Sequence, residues 1–209
     1  MIKLLYSDGS NCSQRVRWAL NFKSVPYEVI LYDSLSPDEL IKISPLRKAP
    51  ALIANDQSFA ESVAILEYLE EAYPKPSLLP LEKINRAKVR ETVEIINAWI
   101  HPIQCSSVPR FFLPELTDQD VKNYRRRWLE KTLPVLHDNL LFKESPFAIG
   151  HAFSWADLTL IPIYMKALIL GAAKTNFPRF TEHVQHCLSV KSIYQSCPKD
   201  LLGSIEQNI

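Results

Sequence analysis

Neither sign of charge prevails in this sequence. The 24 Lys and Arg residues face 23 Asp and Glu, a formal net charge of +1, so nothing in the total draws the chain to polyanions, and neither nucleic acid nor an acidic membrane surface is an expected partner. Long hydrophobic runs are missing as well. No segment approaches the ~18 uninterrupted apolar residues of a membrane-spanning helix, and the start, MIKLLYS, has one cation and too short an apolar stretch for a signal peptide. A soluble, cytoplasmic protein is expected. The four cysteines, Cys12, Cys105, Cys187 and Cys197, form no CxxC pair and read as reduced thiols in a chain large enough to do without disulfides. The nearest metal-like spacing, His183-x-x-His186, supplies two imidazoles where a zinc shell needs four ligands. No metal is expected, and that pair reads as a solvated helix face. Internal repeats and low-complexity tracts are also absent.

What is present suffices for a packed core: 209 residues, 47% of them hydrophobic. IKLLY at 2–6 reads as a buried strand, 13–23 as a helix carrying Val16, Ala19, Leu20 and Lys23 at helical spacing, and YEVILY at 27–32 as a second strand. Ser36-Pro37-Asp38-Glu39 combines an N-cap, a first-turn proline and a capping-box glutamate. ALI (51–53) and QSF (57–59) flank the turn formers Asn55-Asp56 as a hairpin, and 62–73 is an amphipathic helix. The order βαβαββα predicts a small α/β domain over 1–75. The proline-rich run PKPSLLPLE at 74–82 cannot continue a helix, which puts a linker at 76–82. Beyond it, 83–108, 118–142, 154–171 and 178–195 show helical spacing only, so 83–209 is expected to be an all-helical second domain. Pro134 and Pro162 predict kinks or breaks.

Three local patterns suggest chemistry. Ser10, Cys12 and Ser13 crowd a helix start, where unpaired N–H groups and a partial positive charge favour an anion. A Ser10 hydroxyl could donate to a sulfur, Cys12 could itself be a low-pKa nucleophile, or the serines simply cap the helix. Pro50 opens a strand, and a cis Ala49–Pro50 bond would turn residue 49 toward a cleft, whereas a trans edge proline would not. Glu61-Ser62 precedes a helix, so a carboxylate beside an N-terminus could hold the zwitterion of an α-amino acid group, or Ser62 could serve only as N-cap.

The residues S10-N-C-S-Q-R-V-R-W-A-L20 and E61-S-V-A-I-L-E-Y-L-E-E71 resemble the signature and the glutathione-binding helix of the cytosolic glutathione transferases, zeta class most of all. The likeness covers essentially the whole chain. It implies a thioredoxin-like N-terminal domain with an all-helical C-terminal domain, glutathione as co-substrate, no metal, and a homodimer. By the resemblance Ser10 holds the glutathione thiolate with Asn11 and Cys12 nearby, Ala49 before cis-Pro50 pairs with the tripeptide backbone, and Lys48 reaches a carboxylate. Glu61 and Ser62 hold the γ-glutamyl end. Tyr6 is a rival thiol activator. Ile100-His101-Pro102-Ile103-Gln104 is similar to a stretch that contributes to the site, which makes His101 and Gln104 candidates. Val108, Phe111 and Phe112, with Trp128, read equally as substrate pocket or as core. Ser154-Trp155-Ala156-Asp157 is similar to the family's helix-capping motif and implies a structural role. Ile169 stands where zeta-class maleylacetoacetate isomerases carry an arginine for the substrate carboxylate. Conjugation of glutathione to a small electrophile is therefore the first expectation, glutathione-dependent cis–trans isomerisation the alternative, and a non-catalytic binding protein the third reading.

Overall fold

The opening apolar run becomes an inner strand because nearly every side chain on it finds a packed neighbour. A computed structural model describes residues 1–139, 141 and 145–209. In it β1 (Ile2–Tyr6) lies in a four-stranded sheet of order β2-β1-β3-β4, with β2 Tyr27–Leu31, β3 Ala51–Ala54 and β4 Gln57–Ala60. β1 and β2 are parallel and need a crossover, which α1 (Asn11–Phe22) provides. β2 is one of the two edge strands, and Glu28, Val29 and Leu31 on it are exposed. The β3–β4 hairpin closes through Asn55 and Asp56, both left-handed at φ 49° and 62°, as a two-residue primed turn requires. α2 (Pro37–Ile43) begins with the complete Ser36–Glu39 capping box. α3 (Ser62–Ala72) follows β4 directly.

The chain divides into two units, Met1–Leu78 with Lys191–Gly203, and Leu79–Val190 with Ser204–Ile209. In the first, Lys23 ends α1 on its buried side. Its ammonium meets Glu70 at 2.9 Å and the carbonyls of Tyr73 and Pro76, each at 2.8 Å. A buried cation is tolerable only when it is paired and hydrogen-bonded in this way. Glu70 also accepts from Ser77 and from the Leu78 backbone, so the start of the proline-rich run is pinned rather than loose. Trp18 and Asn21 on α1 donate to the hydroxyl and carbonyl of Ser196, at 3.0 and 2.9 Å. These bonds explain why Lys191–Gly203 groups with the first unit.

The second unit is helical among the described residues: α4 (Lys83–Glu94), a π-helical turn (Ile95–Ile100), α5 (His101–Gln104), α6 (Ser107–Phe112), α7 (Asp118–Asn139), α8 (Trp155–Ile169) and α9 (Pro178–Ser189). The expected 178–195 helix ends at Ser189, and α10 (Lys191–Ser196) and α11 (Lys199–Asn208) follow. The expected helix over 118–142 holds through Asn139; positions 140 and 142 lie outside the described residues. Pro134 and Pro162 sit inside α7 and α8 without breaking either. α8 is apolar nearly all round, hence buried. Its capping box, Ser154 with Asp157, is formed as expected. His183 departs from the expected solvated face: it is 2% exposed and its Nε2 donates to Asp157 at 2.7 Å. A polar face was the wrong reading because its partner lies on another helix, 26 positions away. No described helix is long and apolar enough to cross a membrane.

Candidate functional site

The strand register brings the three loop motifs together. Leu5 pairs with Ala51, and Ala51 with Ala60, so the next residue outward on each chain, Tyr6, Pro50 and Glu61, lies at one end of the sheet. Strands ~4.8 Å apart put the three within roughly 10 Å. Gly9, left-handed at φ 66°, turns the chain from β1 into α1.

Ser10 is the N-cap of α1, with extended backbone. Its Oγ accepts from the Ser13 N–H at 3.3 Å. Capping uses a lone pair and leaves the hydroxyl proton to donate, so capping and gripping an anion are compatible roles for one serine. Ser13 is fully buried, and its own Oγ accepts from the Ser7 N–H at 3.3 Å, which steadies the loop from behind. Asn11 is 2% exposed, and both polar atoms of its amide lack a hydrogen-bond partner. Cys12 is partly exposed.

Across the sheet end the Ala49–Pro50 bond is cis. Pro50 is buried and Lys48 is exposed. Glu61, not Ser62, occupies the N-cap position of α3; it makes no side-chain capping bond and holds φ 70°. A non-glycine residue there stores about 1–3 kcal/mol of strain, a cost that concentrates at functional positions. Ser62 begins the helix, 3% exposed, and accepts from Arg15 Nη1 at 3.4 Å. None of the sequence motifs singles out Arg15. It is fully buried and ties α1 to the head of α3. The available signal was its spacing, three and four residues before Trp18 and Ala19, which sets it on the apolar stripe.

Tyr6 is taken up elsewhere. Its ring is buried beneath the Arg17 guanidinium, 4.8 Å away, and its hydroxyl donates to Asp200 at 2.5 Å. Burial, and then the Asp200 carboxylate, push the phenol well above its ordinary range. Its single proton is committed to a carboxylate rather than offered to a thiol. Tyr6→Phe is expected to keep turnover within about twofold while lowering stability by about 1–2 kcal/mol, read as a lower urea midpoint; a large loss of turnover at unchanged stability would return Tyr6 to the catalytic role.

In the second unit, the π turn leads into a polar chain. Arg125 on α7 donates from Nε to the Gln104 carbonyl at 2.6 Å and from Nη2 to Gln104 Oε1 at 3.3 Å. Gln104 Nε2 lies 3.0 Å from His101 Nδ1, and His101 Nε2 lies 3.6 Å from Cys105 Sγ. A guanidinium only donates, so it fixes the Gln104 amide with oxygen toward Arg125 and nitrogen toward His101. Gln104 is buried. Trp128 donates to the Ile100 carbonyl at 3.0 Å. Val108 is half-buried, whereas Phe111 and Phe112 stand edge to face, 80% and 73% exposed, so these two phenylalanines are surface and not core.

Asp157, His183 and Cys187 bring their ligating atoms within 4.8 Å of one another, all buried. The Asp157 carboxylate already accepts from the backbone of Ala148 and Ser154, the Ser154 hydroxyl and His183. Burial, and then that carboxylate, push the Cys187 thiol up, which disfavours the thiolate a metal would need. The triangle is a packing hub.

Residues 4–77 match the family described as glutathione S-transferase, N-terminal domain. A probable maleylacetoacetate isomerase 1 of Drosophila melanogaster is 32% identical over 91% of this chain and 80% of its own length. A zeta-class glutathione S-transferase of Euphorbia esula is 31% identical over 85% of this chain and 81% of its own. The crystal structure of a maleylacetoacetate isomerase from Methylobacterium extorquens AM1, with malonate and GSH bound, superposes with a TM-score of 0.80 at 29% identity, covering 94% of this chain and 96% of that one.

Proposed function

The chain belongs to the zeta class of the glutathione S-transferase family, and from that premise we propose that it is a glutathione-dependent cis–trans isomerase of a maleyl-type dicarboxylic acid such as maleylacetoacetate. The observation that carries the reading is that the loop to Ser10 leaves β1 at the same sheet end as cis-Pro50 and Glu61, in a chain whose relatives over most of its length are named for that reaction. Asn11 supports a fit to glutathione. A buried amide with neither atom bonded carries a desolvation penalty that a polar ligand at the head of α1 would remove.

When bound, glutathione supplies a thiolate that adds reversibly to the conjugated double bond, lets it rotate, and is released unchanged. Ser10 donates its hydroxyl proton to the sulfur, and the N-terminus of α1 adds its partial positive charge. Moving a thiol from ~8.5 to about 6.5 requires roughly 2.7 kcal/mol. A charge-assisted hydrogen bond of about 1.5–3 kcal/mol and a helix terminus of about 0.3–1 kcal/mol supply that much. Glu61 and Ser62 hold the γ-glutamyl ammonium and carboxylate, Ala49 pairs with the peptide, and Lys48 takes a carboxylate from the rim.

Conjugation is the second reading, and Ile169 favours it: an apolar side chain cannot hold a substrate carboxylate. The names of the relatives outweigh it, since a cation lost at one position can be replaced from another. The test is turnover of maleylacetoacetate beside 1-chloro-2,4-dinitrobenzene at fixed glutathione. Isomerisation with no net glutathione consumption is expected. Consumption of glutathione on the chloronitrobenzene with no isomerisation would establish conjugation instead.

A further inference from the structure

We infer that the exposed face of α7 carries a binding site for a small aromatic anion, a site that the reaction proposed above does not use. This face holds a recess of about 350 Å³ lined by Asp120, Asn123, Tyr124, Arg127, Trp128 and Lys131, which recur three and four positions apart and so form one stripe along the helix. Small-ligand pockets begin at about 300 Å³, so this one takes a single ring system with its charged group. Its floor is aromatic and fixed. Trp128 donates its indole N–H to the Ile100 carbonyl at 3.0 Å, and Trp99, 45% exposed, meets it edge to face at 5.8 Å. Tyr124, one turn before Trp128, is also exposed. Large rings kept at the surface around one recess mark a binding place rather than a solvated helix.

The charge of the ligand follows from the cations. Among the described residues no ion pair, hydrogen bond or ring contact includes Arg127 or Lys131. They stand four positions apart, where like charges repel. A helix face that only meets water pairs such groups with acids, as Arg126 on the next stripe does with Glu130 at 3.4 Å. The acid of the recess, Asp120, is already engaged: it accepts from the Thr117 N–H at 3.1 Å and the Thr117 hydroxyl at 2.5 Å. It also lies seven residues before Arg127, roughly 10 Å along the axis, so the recess is acidic at one end and cationic at the other. Asn123 Oδ1 accepts from Gln119 at 3.1 Å, which leaves its amide hydrogens to donate. A ring on Tyr124 and Trp128 with one carboxylate on Arg127 and Lys131 supplies what this face leaves unpaired, stacking along the stripe and charge-assisted hydrogen bonds at its cationic end.

The probe is 2-naphthoate, titrated by calorimetry into the full-length protein and followed in parallel by quenching of tryptophan fluorescence, against neutral 2-naphthamide and against acetate. Naphthoate is expected to bind about tenfold or more tighter than either, since one lacks the charge and the other the ring. Arg127→Met and Lys131→Met should each weaken it about 5- to 20-fold, Tyr124→Ala by a similar factor, and Lys131→Arg should stay within about threefold of wild type. Lys122→Met removes an exposed cation from the other side of α7 and should change the affinity less than about twofold. Arg127, Lys131 and Lys122 are all exposed, so these variants keep the fold. Naphthamide that binds as well as naphthoate, or an affinity that Arg127→Met and Lys131→Met both leave unchanged, overturns the site. So does wild type that binds no naphthoate; a dimer that Tyr124→Ala splits, seen by sedimentation, would then give this face to a second copy of the chain.

Discussion

Ser10→Ala is expected to lower kcat/KM for glutathione-dependent isomerisation about 10- to 100-fold at neutral pH, the worth of one hydrogen bond to an anion. The sign of the pH dependence follows from the same bond. Without the donor the glutathione thiol titrates closer to ~8.5, so the rising limb of the rate profile moves to higher pH and the deficit shrinks there. The serine also caps α1, and alanine at an N-cap costs about 1 kcal/mol while glycine costs only a few tenths. Ser10→Gly therefore separates the roles: it should lose as much rate as alanine and much less stability. A glycine variant with the wild-type rate and profile would remove Ser10 from the chemistry and leave the Asn11 amide as the nearest donor.

Asp157→Ala should be the most damaging single change to stability, about 3–5 kcal/mol, the scale of losing one partner from a buried charged network. Its carboxylate is fully buried and accepts four bonds, from the Ala148 N–H at 2.8 Å, the Ser154 N–H at 2.7 Å, the Ser154 hydroxyl at 2.9 Å and His183 at 2.7 Å. Alanine leaves those donors buried and unsatisfied at the head of the central helix α8. Asparagine should cost less than alanine and still more than a surface change, because one of its two atoms is a donor facing donors. Urea unfolding followed by tryptophan fluorescence reads the effect. A loss below about 1 kcal/mol would show that the hub is dispensable.

Most of the elements were legible because they rest on neighbours in sequence. The Ser36–Glu39 and Ser154–Asp157 boxes, the Asn55-Asp56 turn and the start of α3 are local contests between side chain and backbone, and the structure resolves each near the expected residue. One boundary moved: α1 begins at Asn11 and not at 13, capped by Ser10, one of the serines expected to do so; α3 starts at Ser62 as expected, but Glu61 holds the N-cap position expected for Ser62. The candidate site was legible as three motifs, not as a place. Their meeting depends on which strands pair and in what register, and that is settled by burial across the whole sheet.

By itself, then, the sequence determined the strands and most of the helices, the order βαβαββα followed by helices, and the residue types able to handle a thiolate, since these follow from interactions spanning a few positions. Tertiary structure alone decided that Tyr6 answers to Asp200, 194 positions away, that Arg15 reaches Ser62 across 47, and that His183 turns inward to Asp157. It also decided that Lys191–Gly203 packs with the first unit. A buried polar group takes whichever partner the fold brings within 3 or so Å, roughly hydrogen-bond reach, and local pattern carries no record of a partner so distant along the chain.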